Sequence, residues 1–246
     1  MRNSIGNAYV ERAIRVTGAR RPTFIGQLPE TYSEDGEDLV LESLLRVLCL
    51  REQTLLSRVF YLEIGGNHPI ASSATYLLHC RYGCRGVIVE PNPELVGELI
   101  RVRADDIVVQ AAVLPGMSER VTLYVSSIDE YSSILPLYGS SCGQTPRAEQ
   151  VVPVEVQGIG IGELLNLYLP TNGINFMSID VEGLELALLH GVDFERHRPT
   201  VLQVEPADHF DTGVGFRIIQ HLEECGYRLH ALTSLNQIYV DARRLP

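Results

Sequence analysis

The run Phe60–Pro69, FYLEIGGNHP, constrains this chain more than any other stretch. Val59, Phe60, Tyr61, Leu62 and Ile64 are β-formers, and they stop abruptly at Gly65-Gly66-Asn67. That pattern predicts a buried strand entering a tight turn, with a helix to follow. Two glycines at the carboxyl end of a buried strand let backbone approach a ligand where a Cβ would clash. In an open parallel sheet this crevice is where cofactors bind. A second strand, Gly86–Glu90, ends in an acid followed by Pro91-Asn92-Pro93. Strand, glycine turn, helix, strand and acid make a nucleotide-binding half, with Glu90 placed to accept hydrogen bonds from a ribose diol.

The remaining pattern extends this layout. Leu39–Leu50 predicts a helix with Leu41, Leu44, Leu45 and Leu48 on one face, after an acidic Tyr32–Asp38 stretch in which Ser33 or Asp35 is the expected N-cap. That stretch is also a candidate cover for the crevice. Ala71–Arg81 predicts a helix, Asn92 caps another beginning at Pro93, and Ile107–Val113 predicts a third strand. Leu95, Val96, Leu99 and Ile100 supply that helix's apolar stripe. Val121–Val125, Val151–Val156, Ile174–Gly183 and Pro199–Glu205 read as strands. Ile161–Leu169, Leu184–His190 and Phe216–Cys225 read as helices, the last with Phe216, Ile219 and Leu222 inward. Tyr227–Leu232 and Gln237–Val240 finish as a strand pair. The expectation is one α/β domain over 31–246, with a mostly parallel sheet and a C-terminal antiparallel strand. Residues 1–30 read as a lead-in arm, and 126–149, rich in Ser, Gly and Pro, as a substrate-side loop.

Composition narrows the classes. Across 246 residues the net charge is −11, which argues against a general nucleic-acid partner. No apolar run approaches the roughly 20 residues of a membrane span, and the polar, interrupted opening does not read as a signal peptide. Five cysteines without a CxxC pair fit a reducing, cytoplasmic setting; Cys80 and Cys84, four apart, are a weak soft-metal pair. No GxSxG, HExxH, Walker A or GxGxxG pattern occurs.

Glu63, Glu90, Asp180 and Glu205 fall at strand ends, so they converge on one edge of a parallel sheet. Asp180 and Glu182, two apart in extended chain, are expected on one side. Such a pair can grip a sulfonium's amino group, act as general base, or, with Glu205, hold Mg2+ through oxygen ligands. Asp180 and Glu182 are therefore the catalytic candidates, and His209 an alternative base. Against these stands a plain helix-capping role for Asp180 and Glu182. His68 is the other imidazole near a predicted strand end, and Glu185 reads as a solvated helix acid.

Three stretches, YLEIGGNHPIASSATY with GVIVEPNP, SIDVEGLELALLHGVDFERHRPTVLQVEP and, less specifically, YSEDGEDLVL, together resemble the FkbM-type S-adenosylmethionine-dependent methyltransferases. The resemblance implies a class I, Rossmann-like methyltransferase fold with helices on both faces. It also implies methyl transfer from S-adenosyl-L-methionine to a hydroxyl of a sugar or natural-product small molecule. It places Glu63, Gly65 and Asn67 at the methionine end, Glu90 at the ribose, and Gln110 and Ala111 near the adenine, with Gly66, Pro91 and Asn92 also expected to bind the cofactor. Family members commonly carry D-x-G-A-N and S-N-T-Y where this chain has Glu63–Asn67 and Ser73-Ala74-Thr75-Tyr76. Glu for Asp keeps the charge and Gly for Ala keeps the close approach. An NAD-dependent oxidoreductase and a non-catalytic cofactor-binding homologue are the competing readings. An arm and an exposed loop are compatible with a homodimer.

Overall fold

The structure, a computed structural model, describes residues 31–126, 132–135, 151–207 and 213–245. The lead-in arm, most of the 126–149 loop and His209 lie outside the described residues. In chain order the elements are α1 (Glu37–Arg51), β1 (Phe60–Ile64), α2 (Tyr76–Tyr82), β2 (Arg85–Val89), α3 (Pro93–Val102), β3 (Ile107–Val109), β4 (Ala112–Leu114), β5 (Arg120–Ser126) and β6 (Val151–Gly160). They continue through α4 (Ile161–Tyr168), β7 (Asn175–Ile179), α5 (Glu185–His190), β8 (Val201–Val204), α6 (Val214–Glu224), β9 (Tyr227–Leu232) and β10 (Gln237–Asp241).

Seven strands form one sheet in the order β3-β2-β1-β7-β8-β10-β9, parallel except that β10 runs against both neighbours. The period-2 pleat divides its side chains between two cores. Leu62, Ile64, Met177, Ile179, Leu202 and Val204 face α4, α5 and α6. Tyr61, Phe176, Val201 and Val240 face α1. Helices therefore cover both faces, as the resemblance implied. α1 buries Leu41, Leu44, Leu45 and Leu48, each contributing about 1.5–3 kcal/mol of transfer free energy.

Five local expectations need correction. The N-cap of α1 is Gly36 at φ 79, and Ser33 instead offers its Oγ to the Asp38 N–H at 3.2 Å. α2 starts at Tyr76 because side chains occupy the preceding N–H groups: His68 takes those of Ile70 and Ala71, Glu63 that of Ala74, and Ser73 those of Thr75 and Tyr76. Backbone satisfied this way stays in turns rather than helix. The strand expected over Ile107–Val113 breaks at Gln110-Ala111, and its second half leaves the main sheet to pair with β6 in a separate sheet, β4-β6-β5. Ile100 is 55% exposed, so the inward stripe of α3 is Val96 and Leu99. α6 turns Val214, Ile218 and Leu222 inward and leaves Phe216 64% exposed, since its register starts two residues earlier than expected.

Candidate active site

Strand register aligns the edge. Ile64 pairs with Val89 on one side and Ile179 on the other, and Ile179 with Val204. The ladder runs one residue further: Glu90 N–H donates to Val109, Asp180 N–H to Ile64 and Glu205 N–H to Ile179. Glu90, Asp180 and Glu205 thus emerge side by side because each directly follows a paired strand.

The turn after β1 is set by its neighbours. Gly65 and Gly66 both donate to the Val89 carbonyl, at 3.0 and 3.1 Å. Gly65 has φ +88, and a Cβ there would stand 1.7 Å from the Asp180 carbonyl oxygen; a Cβ on Gly66 would meet Ile88 at 2.2 Å. Both glycines are required by the packing of adjacent strands, before any ligand is considered.

Above this turn lies an open cleft. Gly65 and Asn67 form one wall, Glu90 and Pro91 another. Leu95, Ala111, Val113 and Leu123 make an apolar slot, and Asp180, Val181, Glu182 and Leu184 close the far end. Glu90 is 5% exposed and accepts the N–H of Asn67 at 2.8 Å and of Asn92 at 2.7 Å. A carboxylate oxygen can accept more than one hydrogen bond. A fixed carboxylate beside an apolar slot suits a nucleoside, with the diol on Glu90 and the purine among the aliphatic side chains.

The far end is electrostatically different. Burial pushes the Asp180 carboxyl well above the ordinary carboxylate range, and Glu185, Glu34, Glu63 and Glu90 push it further. Glu205 is raised by burial and then by Asp180, Glu182, Glu34 and Glu37. Asn236 Nδ2 lies 3.3 Å from Glu37 Oε1 and 3.5 Å from Glu205 Oε2. Glu34 accepts from Ser72 Oγ at 3.1 Å, which ties the Tyr32–Asp38 stretch to the turn after β1.

The sequence model of a family described as methyltransferase FkbM domain matches residues 63–229, more than half of the chain. The chain belongs to the FkbM methyltransferase family. No curated protein sequence matches it. Among solved structures, precorrin-6y C5,15-methyltransferase from Geobacter metallireducens GS-15 is similar at 11% identity and TM-score 0.43, covering 88% of this chain and 93% of that one. Magnesium protoporphyrin IX methyltransferase from Synechocystis PCC 6803 with bound SAM is similar at 11% identity and TM-score 0.39, covering 98% and 99%. An RNA methyltransferase from Salinibacter ruber in complex with S-adenosyl-L-homocysteine is similar at 12% identity and TM-score 0.35, covering 89% and 97%. The family membership makes this an S-adenosylmethionine-dependent methyltransferase fold, and the cleft described above fits that cofactor.

Within this FkbM-family chain the residues singled out from sequence divide into two groups. Gly65, Asn67, Glu90, Pro91, Ala111, Asp180 and Glu182 all line the cleft. Glu63 does not: it is 4% exposed, and its oxygens accept from Ser73 Oγ, the Ala74 N–H and Thr75 Oγ1. Gly66 packs on Ile88, Asn92 caps α3 by accepting the Glu94 N–H at 3.1 Å, and Gln110 is exposed beside the strand break. His68 Nδ1 is committed to two backbone N–H groups. Cys84 is buried with its thiol on the Leu56 carbonyl while Cys80 is exposed, so the two do not act together.

The Mg2+ expectation finds no support. Among the described residues no three His, Cys, Asp or Glu side chains are arranged to hold a metal ion. β7 ends at Ile179 and Glu182 takes φ 54, so the strand alternation that put Glu182 beside Asp180 no longer applies. Among the described residues no helix is long and apolar enough to cross a membrane.

Three parts of the site escaped sequence reasoning. Leu123, Ser132, Ser133 and Ile134 reach the cleft from the small sheet and its following loop, a placement no local pattern encodes. Arg103, 0% exposed, braces the turn after β1 through the Pro69 carbonyl at 3.2 Å and Thr75 Oγ1 at 2.8 Å. Glu185, expected in solvent, is 1% exposed; its place directly before an apolar helical run was the one available signal.

Proposed function

We propose that the chain is an O-methyltransferase that uses S-adenosylmethionine to methylate a hydroxyl of a sugar or natural-product small molecule. The observation that carries this reading is Asp180, a carboxylate on the cleft wall whose proton affinity is raised by burial and by neighbouring acids. S-adenosylmethionine supplies an electrophilic methyl group, so the protein's task is to place an acceptor oxygen and remove its proton. A carboxylate raised toward neutrality is matched to that proton. Glu90 would hold the ribose diol, and Leu95, Val113 and Leu123 would flank the purine and exclude water. Glu182 lines the same end of the cleft and supports acceptor placement, and the reading requires no metal. Among the described residues no two cysteines form a disulfide, which supports a cytoplasmic setting. His209, as an alternative base, lies outside the described residues.

The test joins binding to turnover. Calorimetric titration with S-adenosylmethionine, S-adenosylhomocysteine and NAD should show binding of the first two and none of NAD. Screening hydroxylated glycosides for S-adenosylhomocysteine release then provides an acceptor. Asp180→Asn should keep cofactor affinity and lose about 10²–10⁴-fold in kcat, the contribution of a general base. Unchanged turnover in that variant removes Asp180 from the role.

A further inference from the structure

The geometry points to Glu185 as a positioning residue, a clamp that fixes the turn carrying Asp180 into the cleft. The inference rests on the proposed role of Asp180 for its functional meaning, and on coordinates for the clamp itself.

Five residues, Asp180 to Leu184, carry the chain from the end of β7 to the start of α5. Two of them have left-handed backbone: Gly183 at φ 114 and Glu182 at φ 54. For a non-glycine residue that conformation costs on the order of 1–3 kcal/mol and persists only where the surroundings impose it. Two side chains impose it here. Glu185 Oε1 accepts the Gly183 N–H at 2.8 Å and the Val181 N–H at 3.4 Å. From the small-sheet side, Ser133 Oγ donates to the Glu182 carbonyl at 2.9 Å. The turn is therefore pinned on both flanks of its strained residue, and Asp180, Val181, Glu182 and Leu184 all face the cleft from it.

An ordinary acid in the first turn of a helix sits in water and contributes a few tenths of a kcal/mol through the helix dipole, about 0.3–1. Glu185 is buried, and among the described residues its second oxygen, Oε2, has no hydrogen-bond partner. Burying a carboxylate in this way is costly. The backbone N–H groups it accepts account for its retention as a clamp. Its charge also leads the neighbouring charges acting on Asp180, ahead of Glu34 from the stretch before α1, Glu63 from β1 and Glu90 from the end of β2. Asp180 in turn acts on Glu205 at the end of β8, where Glu182, Glu34 and Glu37 also contribute. One side chain thus restrains the turn that follows Asp180 and is, after burial, the first of the neighbours that raise its proton affinity.

Isotopically labelled full-length protein with saturating S-adenosylhomocysteine separates these effects without any acceptor. Glu185→Gln keeps an oxygen for the two N–H groups and removes the charge; Glu185→Ala removes both. The Gly183 amide should exchange about tenfold faster or more in Glu185→Ala and near the wild-type rate in Glu185→Gln, as expected when a local restraint is opened. The carboxyl-carbon titration of Asp180 should move to lower pH in Glu185→Gln. Unaltered Gly183 exchange in Glu185→Ala, or an unmoved Asp180 midpoint in Glu185→Gln, overturns the inference. Loss of S-adenosylhomocysteine affinity in both variants also overturns it, because Glu185 would then be general support for the fold. If Glu185→Ala does not fold, the Glu185→Gln titration decides alone. Because none of these readouts uses turnover, an active Asp180→Asn enzyme would sink the general-base reading while leaving the clamp in place.

Discussion

Two groups of acids lie along the same sheet, and their neighbours act on them in opposite ways. Under the turn after β1, Asp106 accepts from Arg103 Nε at 2.8 Å, from the Tyr61 hydroxyl at 2.6 Å and from the Gly86 N–H at 3.0 Å. Its pKa is lowered although burial opposes this, because hydrogen bonds from His79 and Tyr61 and the Arg103 charge outweigh burial. Glu63 nearby is still raised by burial, with Arg103, Thr75, Ser73 and the Ala74 N–H pulling the other way. At the ends of β7 and β8, burial raises Asp180 and Glu205 and the strongest neighbours, all acids, raise them further. The contrast separates acids whose burial is compensated by a cation and hydrogen-bond donors from acids whose neighbours repel them, and the second kind are the candidates for chemistry.

The comparison can be broken most sharply at Arg103. Arg103→Met leaves Asp106 and Glu63 buried without their shared cation, which should cost about 3–5 kcal/mol in urea unfolding. A loss below about 1 kcal/mol would mean that the pairing is not what stabilises this region. A smaller effect comes from pH. Acids whose folded values are raised contribute stability that is complete below their unfolded values, near pH 4, and is lost as pH rises through the folded ones. Asp106, lowered, does the reverse: its contribution is present above the unfolded value and is lost as pH falls through the folded one. The cofactor-free protein should therefore be most stable on the acid side of neutrality and weaken toward pH 9. Glu205→Gln should flatten that alkaline decline, by about 1.4 kcal/mol for each pH unit that the folded value stands above the ordinary one. A wild-type stability that rises steadily from pH 5 to 9 would contradict the repulsive edge. The smallest effect belongs to a site in neither region. Phe216→Ser on the outer face of α6 should stay within about 0.5 kcal/mol, and a larger loss would reveal that this exposed ring is packed in solution.

The order of elements and the row of acids were legible from sequence because both follow local rules. Buried strands declare themselves by composition, and residues directly after parallel strands must share an edge. What stayed hidden was of two kinds. Glu63 looked like a ligand-binding acid because it precedes the glycine turn, but the turn between β1 and α2 folds back so that Ser73 and Thr75 consume its oxygens. Glu185 looked solvated because helical first turns usually are, and only the path of the preceding turn buries it. Both misreadings concern where a side chain goes once the chain reverses, which depends on dihedral angles that sequence pattern does not report. The break at Gln110-Ala111 is similar: Gln110, Ala111 and Ala112 are weaker β-formers than the valines on either side, but that does not mark a change of sheet.

The insertion of β10 between β8 and β9 bears on how the protein is made. A ribosome delivers β8 and β9 before their shared neighbour exists, so β8 stays open along one edge until Gln237–Asp241 emerges. Asn236, which reaches both Glu37 and Glu205, arrives with that strand. The acid-lined end of the cleft is consequently the last part of the domain to close during synthesis, after the nucleoside half has every strand it needs.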